Sequence, residues 1–182
     1  MAVAPDRLLT YEDYAAFPDD GIRREIVNGE VYELSAPKVR HQRLVGRLYV
    51  ALVLYVSEHG GGEVFVSPID VLLSKHDVVQ PDVVFVASDR AAIVTEPNLR
   101  GAPTLVVEVV SDPRHDRVRK RALYARADVS EYWIVDPDAD RIEIHRLGPD
   151  GYGKPEILEG GDVLSTTLLP AFTLDVAGAL ER

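Results

Sequence analysis

Apolar and polar positions alternate along much of this chain with a period of two, and two apolar runs stand out. "VVQPDVVFVAS" and "TLVVEVVSDP" are built from strand-forming residues, and each holds one acid in its interior, Asp82 and Glu108. A lone ionised carboxylate is costly to bury, so the two acids need a partner. Around these runs the pattern supplies further elements. Thr10 and Asp13 have capping-box spacing, which starts a short helix that Pro18 and Gly21 end. "REIVNGEVYEL" places Asn28-Gly29 between two alternating runs, a strong hairpin signal. From Arg40 to His59, Leu44, Val45, Leu48, Leu52, Tyr55 and Val56 fall on one helical face, and Gly60-Gly61-Gly62 stops the helix.

"EVFVSPIDVLLS" reads as a strand interrupted at Pro68, and "DVVQPDVVFVAS" as the next strand. "TLVVEVVS" is almost continuously apolar, as in a central strand covered on both faces. "DRVRKRALYARAD" is composed of good helix formers. "EYWIVD" and "RIEIHRL" follow as strands, Tyr152 to Leu158 adds another, and "LLPAFTLDVAGAL" ends in a short helix. The order implies an α/β fold with a mixed, largely antiparallel sheet and few helices. Alternation across "EYW" should turn one of Tyr132 and Trp133 inward, as a packing residue rather than a base-stacking platform.

Composition adds bounds. The 182 residues suit one domain, and 46% hydrophobic against 27% charged residues is a globular mixture. Cysteine is absent, which excludes disulfides and thiolate metal sites. No stretch has signal-peptide or membrane-span character, so a cytoplasmic protein with no membrane partner is expected. The net charge of −10 repels nucleic acid at long range. One segment breaks the balance: "RHDRVRKR" has five Lys/Arg against one Asp, and Arg114, Arg117, Arg119 and Arg121 are its candidate phosphate contacts.

The candidate chemistry is a cation site. If the strands bearing Asp82 and Glu108 are neighbours, the two acids can meet at one end of a sheet, and a hard divalent ion would offset their repulsion. Asp70 is a third acid in a strand-like setting. Asp116, Lys120 and Tyr124 recur every four residues, so Lys120 could face the acids, orient or deprotonate a water, or stabilise phosphoryl charge. The plainer alternative for Lys120 is a surface pair with Asp116. There is no nucleophile elbow, P-loop, dinucleotide fingerprint or His-x-x-x-His zinc spacing.

"VVQPDVVFV", "LVVEVVS" and "DRVRKRALYARADVSEYWIVD", in that order, resemble the PD-(D/E)xK nuclease superfamily. Together with the "LTYEDY" helix and the "EIVNGE" hairpin, they resemble more closely a large bacterial family of restriction-endonuclease-like proteins. The likeness runs from Leu9 to about Leu147 and loosely on to "LLPAFTLD". It implies a restriction-endonuclease-like core over residues 1–182, a mixed central sheet flanked by helices with an N-terminal helix and hairpin. It also implies a Mg²⁺ or Mn²⁺ ion held by Asp82, Glu108 and the Val109 carbonyl, and hydrolysis of DNA phosphodiester bonds. Val110 stands where the superfamily has lysine, and Lys120 in the next helix is the matching position. Glu30, and behind it Glu25, match acids of the family's hairpin, and His41 stands where the family often has histidine. A homodimer is expected on fold analogy. The alternatives are a nuclease-like fold that binds without cutting, and a structural domain that dimerises through a sheet edge.

Overall fold

The computed structural model describes residues 7–181. Among these residues there are four α-helices, α1 (Tyr11–Ala15), α2 (Val39–His59), α3 (Arg121–Arg126) and α4 (Val176–Leu180). A 3₁₀ turn spans Ser88–Ile93, and a π-helix over His115–Lys120 leads directly into α3. The strands in chain order are β1 (Arg24–Val27), β2 (Glu30–Glu33), β3 (Gly62–Val66), β4 (Val71–Ser74), β5 (Asp77–Val79), β6 (Val83–Ala87), β7 (Leu99–Arg100), β8 (Leu105–Val109), β9 (Glu131–Asp136), β10 (Arg141–Gly148), β11 (Gly151–Tyr152), β12 (Glu156–Glu159), β13 (Val163–Thr166) and β14 (Leu169–Asp175).

They form a main sheet in the order β11-β10-β9-β8-β6-β3, with β12 also on β10, a smaller sheet β2-β1-β5-β4-β7, and the pair β13-β14. In the main sheet only β8 and β9 run parallel. The crossover between them carries the π-helix and α3. The mixed sheet, the flanking helices and the N-terminal helix and hairpin are the α/β fold that the sequence implies. Thr10 makes the capping box with Asp13. Among the described residues no helix is long and apolar enough to cross a membrane.

Strand parity builds the core. On one face Val83, Phe85, Leu105, Val107, Val109, Trp133 and Val135 pack against Leu44, Val45, Leu48 and Leu52 of α2. On the other, Val84, Val86, Val106, Tyr132 and Ile134 pack against Leu123 and Tyr124 of α3 and against Val27, Val71 and Val79 of the smaller sheet. Tyr132 and Trp133 are therefore both fully buried, one on each face. Alternation sends them to opposite faces, and both are packing residues because the strand is covered on both sides. Burying side chains of this size supplies roughly 2 kcal/mol or more each.

Two expected single strands are in fact two strands each. "EVFVSPIDVLLS" divides into β3 and β4, and "DVVQPDVVFVAS" into β5 and β6, with β3 and β6 in the main sheet and β4 and β5 in the smaller one. Pro68 and Pro81 lie at the two crossings. Neither has an N–H for a ladder, so pairing lapses where the chain changes sheets. This excursion brings the hairpin sheet against the main sheet at the end where Asp82 begins β6.

The hairpin depends on its turn. Asn28 and Gly29 both have positive φ, 54° and 74°. A Cβ on Gly29 would also stand 2.6 Å from Cβ of Leu8. Gly29→Ala should cost about 2 kcal/mol and lower the melting temperature by roughly 4–8 °C in a thermal melt.

Candidate active site

The ladder sets the two acids opposite one another. Val83 pairs with Val107 and Val84 with Val106, so one step further Asp82 faces Glu108 at the mouth of the β6–β8 pair. Both share the parity of Val84 and Val106 and lie on the face covered by α3 and the hairpin sheet. They line a pocket of about 130 Å³ together with Arg23, His41, His115 and Lys120.

Each acid has one oxygen saturated. Asp82 Oδ2 accepts the Val109 N–H at 2.8 Å and lies 3.2 Å from His41 Nε2. Glu108 Oε1 accepts Lys120 Nζ and the Tyr124 hydroxyl, each at 2.8 Å. The other oxygen of each acid takes no hydrogen bond among the described residues. Val110 N–H bonds to Val135 on β9, so Val109, one residue earlier, turns its N–H and C=O toward β6. There the carbonyl faces Pro81, which has no N–H to give it.

Behind Glu108 lies a buried ionic network. Lys120 Nζ bridges Glu108 Oε1 and Glu25 Oε1, the latter at 2.9 Å. Glu25 also accepts the Gln80 N–H at 2.7 Å, and its Oε2 lies 2.8 Å from His115 Nε2. Lys120 and Glu108 are each 3% exposed and Glu25 is 0% exposed. Burial works against both charges of the Lys120–Glu25 pair, but their contacts outweigh it. Lys120 is held well above the ordinary lysine value by Glu108, Glu25 and Asp116, and Glu25 is held at about 2 by Lys120, His115 and the Gln80 N–H. Burial pushes Glu108 up to about 8; Lys120 opposes the rise, and Asp82, Asp116 and Glu25 add to it. Tyr124 stays a neutral donor, raised by burial and then by Glu108.

The π-helix explains which residues arrive here. In a π turn the residues at i and i+5 stack. His115 and Lys120 therefore reach the two oxygens of the same Glu25 carboxylate. Asp116 instead turns back to accept the Ser111 and Asp112 N–H groups at 3.1 and 3.2 Å. Burial raises its pKa.

Asp82, Glu108, Lys120, Tyr124, Glu25 and His41 are thus brought together. The other candidates are placed elsewhere. Glu30 is exposed near the hairpin turn and accepts the Tyr32 hydroxyl at 2.6 Å. Asp70 accepts Tyr14 Oη and Gln80 Nε2. Arg117 bonds Asp136 and Glu143, and Arg121 bonds His145 and the carbonyls of Tyr152 and Gly153. Arg119 lies 4.8 Å from the centre of the Tyr32 ring, and Arg114 is exposed. The sequence reading missed His115 and Arg23. His115 has no signal without the π turn. Arg23 has one, since it sits two residues before Glu25 and shares its strand face.

Residues 11–177 match the family model described as "Uma2: Putative restriction endonuclease". The chain belongs to this family. Its fold is similar to the crystal structure titled a putative nuclease belonging to DUF820 from Anabaena variabilis, with a TM-score of 0.80 at 13% identity, over 94% of this chain and 97% of that one. Comparison with curated proteins returns no match. Family and fold together support a nuclease-like function.

Among the described residues no group of three or more His, Cys, Asp or Glu side chains is arranged to hold a metal ion. The donors that the pocket could offer are two acids and a carbonyl. That suits a hard ion that keeps several waters and suits zinc poorly.

The raised Glu108 has a stability consequence. Its neutral form is the one the fold favours. That contribution is fully present below the ordinary carboxyl pKa and is lost as pH rises through about 8. With chelator present, Glu108→Gln should therefore raise the melting temperature at pH 9 by about 4 °C or more and change it little at pH 5. Thermal melts at the two pH values check this.

Proposed function

We propose that this protein is a Mg²⁺- or Mn²⁺-dependent endonuclease that hydrolyses phosphodiester bonds of DNA. One observation carries the reading: two facing acids, each with one oxygen saturated by the fold and one without a hydrogen-bond partner among the described residues, line a single pocket. Asp82, Glu108 and the Val109 carbonyl would hold the ion. When bound, it would polarise a phosphate and favour ionisation of a water.

The chain's own residues do the rest. Val109 N–H and His41 hold Asp82, while Lys120 and Tyr124 hold Glu108, so each carboxyl is positioned by the fold before an ion would arrive. Lys120 keeps its proton between two acids. Its role is then to hold Glu108 and supply positive charge, not to accept a proton from water. Glu25 and His115 act one layer behind, by positioning Lys120. The pocket is also lined by Glu33, Asp112 and Asp116, so a phosphodiester meets excess negative charge there unless a cation is bound. Arg23 on the pocket wall bonds Gln80 and Ser67 through Nε and Nη2, which leaves Nη1 to meet a phosphate oxygen.

A second reading, a nuclease-like module that binds without cutting, draws on the same lysine. It is buried in a salt bridge, and Val110 stands two residues after Glu108.

Plasmid nicking separates the two. With Mg²⁺ or Mn²⁺ the wild type should nick supercoiled DNA, and chelator should abolish it. Lys120→Met should lower the nicking rate by roughly 10²–10³-fold, with circular dichroism confirming the fold. Arg23→Ala should weaken DNA binding in Ca²⁺ by about tenfold or more and leave ion binding unchanged. A wild type that binds DNA and does not nick with either ion favours the binding module.

A further inference from the structure

The helix α2 is apolar on two opposite sides. Its inner side, Leu44, Val45, Leu48 and Leu52, belongs to the core. Nine large apolar side chains are exposed among the described residues, and three lie on the outer side of this one helix: Val39 at 70%, Val50 at 52% and Leu54 at 64% exposure. At 100° per residue they share a stripe with Arg43, Gly46, Ser57 and Glu58, opposite the core-facing stripe. A surface helix needs only one apolar stripe, and a second marks a contact.

Gly46 is a second, independent sign. It lies inside the helix, where glycine costs about 1 kcal/mol relative to alanine. A Cβ there would meet nothing within 4 Å. No packing within the chain therefore calls for glycine, and the result is a notch in the outer face, flanked by Arg43, Val50 and Leu54. The ends of the stripe carry opposite charge. Arg43 and Glu58 are both exposed, and neither is in an ion pair among the described residues. Arg47 is drawn aside onto the carbonyls of Ala179 and Glu181.

We propose that a second copy of this chain covers the stripe, with the two α2 helices antiparallel about a two-fold axis beside Val50. Leu54 and Gly46 lie equally far from Val50, on opposite sides, so Leu54 of each copy enters the Gly46 notch of the other. Val50 meets Val50. Arg43 faces the Ser57–Glu58 end of the partner helix, and Glu58 faces Arg43 in return. Such an isologous contact is self-complementary. A parallel pairing would set Arg43 against Arg43. The inference does not rest on the nuclease reading, yet it bears on it. His41, on the inner side of the same helix, touches Asp82. Two pockets would then be held in fixed relation by one helix pair.

Sedimentation equilibrium of the full chain tests the proposal. The wild type should have twice the monomer mass. Leu54→Asp and Arg43→Glu should each halve it with unchanged circular dichroism, because both side chains are exposed. The double variant Arg43→Glu/Glu58→Arg should recover the doubled mass. A monomeric wild type, or a Leu54→Asp variant that stays dimeric, would overturn the proposed interface. A double variant that stays monomeric would overturn the antiparallel register.

Discussion

One buried ammonium group organises this molecule. Lys120 lies between Glu25 and Glu108, with all three side chains nearly or wholly out of water. The three come from different parts of the fold: the hairpin sheet, the main sheet and the π-helix of the crossover. Removing charges from water is expensive, and contacts offset that cost for Lys120 and Glu25 but not for an ionised Glu108. The network therefore works as a registration device. A hairpin that docked one residue out of register would bury an unpaired acid, and a helix without the π turn would move His115 or Lys120 off Glu25. Glu108 is held at one oxygen by this cluster, which fixes where its other oxygen can lie.

The ammonium also divides the carboxylates by role. Glu25 is saturated by Lys120, His115 and the Gln80 N–H and is closed to any ligand without rearrangement. Asp82 and Glu108 each keep an oxygen in reserve. The same low-dielectric setting raises Glu108 and lowers Glu25, because the lysine does not satisfy both acids equally. An arrangement with one acid close to neutral at physiological pH stores cost in the unliganded protein. Binding of a divalent ion would relieve it, as expected where stability has been traded for a site.

Much of this was legible in the sequence, for physical reasons that differ by element. Asp82 and Glu108 stood out because an acid in an apolar strand breaks a period-two pattern, and the ladder does set them face to face. The helix at Val39–His59, the Asn-Gly hairpin and the strands Glu131–Asp136 and Arg141–Gly148 followed from periodicity and turn chemistry, whereas the single strand expected from Tyr152 to Leu158 is two, and β13 and β14 were not foreseen. Pro68 and Pro81 were visible, but a strand interruption in sequence does not say whether the chain kinks or changes sheets. Lys120 and Tyr124 obeyed the four-residue stripe, since both reach Glu108. Asp116 did not, and His115 was missed, because a π turn adds a residue to the helix without a sequence signature. The family resemblance pointed to Glu30 first and Glu25 behind it, yet the residue delivered to the site is Glu25, while Glu30 stays exposed near the turn. The arginines of the basic segment were read as one group. The fold spends Arg117 and Arg121 on partners in β9, β10 and their neighbours, contacts that no local spacing foretells.

Whether Asp82 and Glu108 form a cation site is decided by calorimetric titration of Mn²⁺ into the wild type and into Asp82→Ala. The wild type should take up one ion per chain, with protons released as Glu108 ionises, and the variant should show no measurable binding. Equal binding by both proteins, or none by the wild type even with DNA present, would rule the site out.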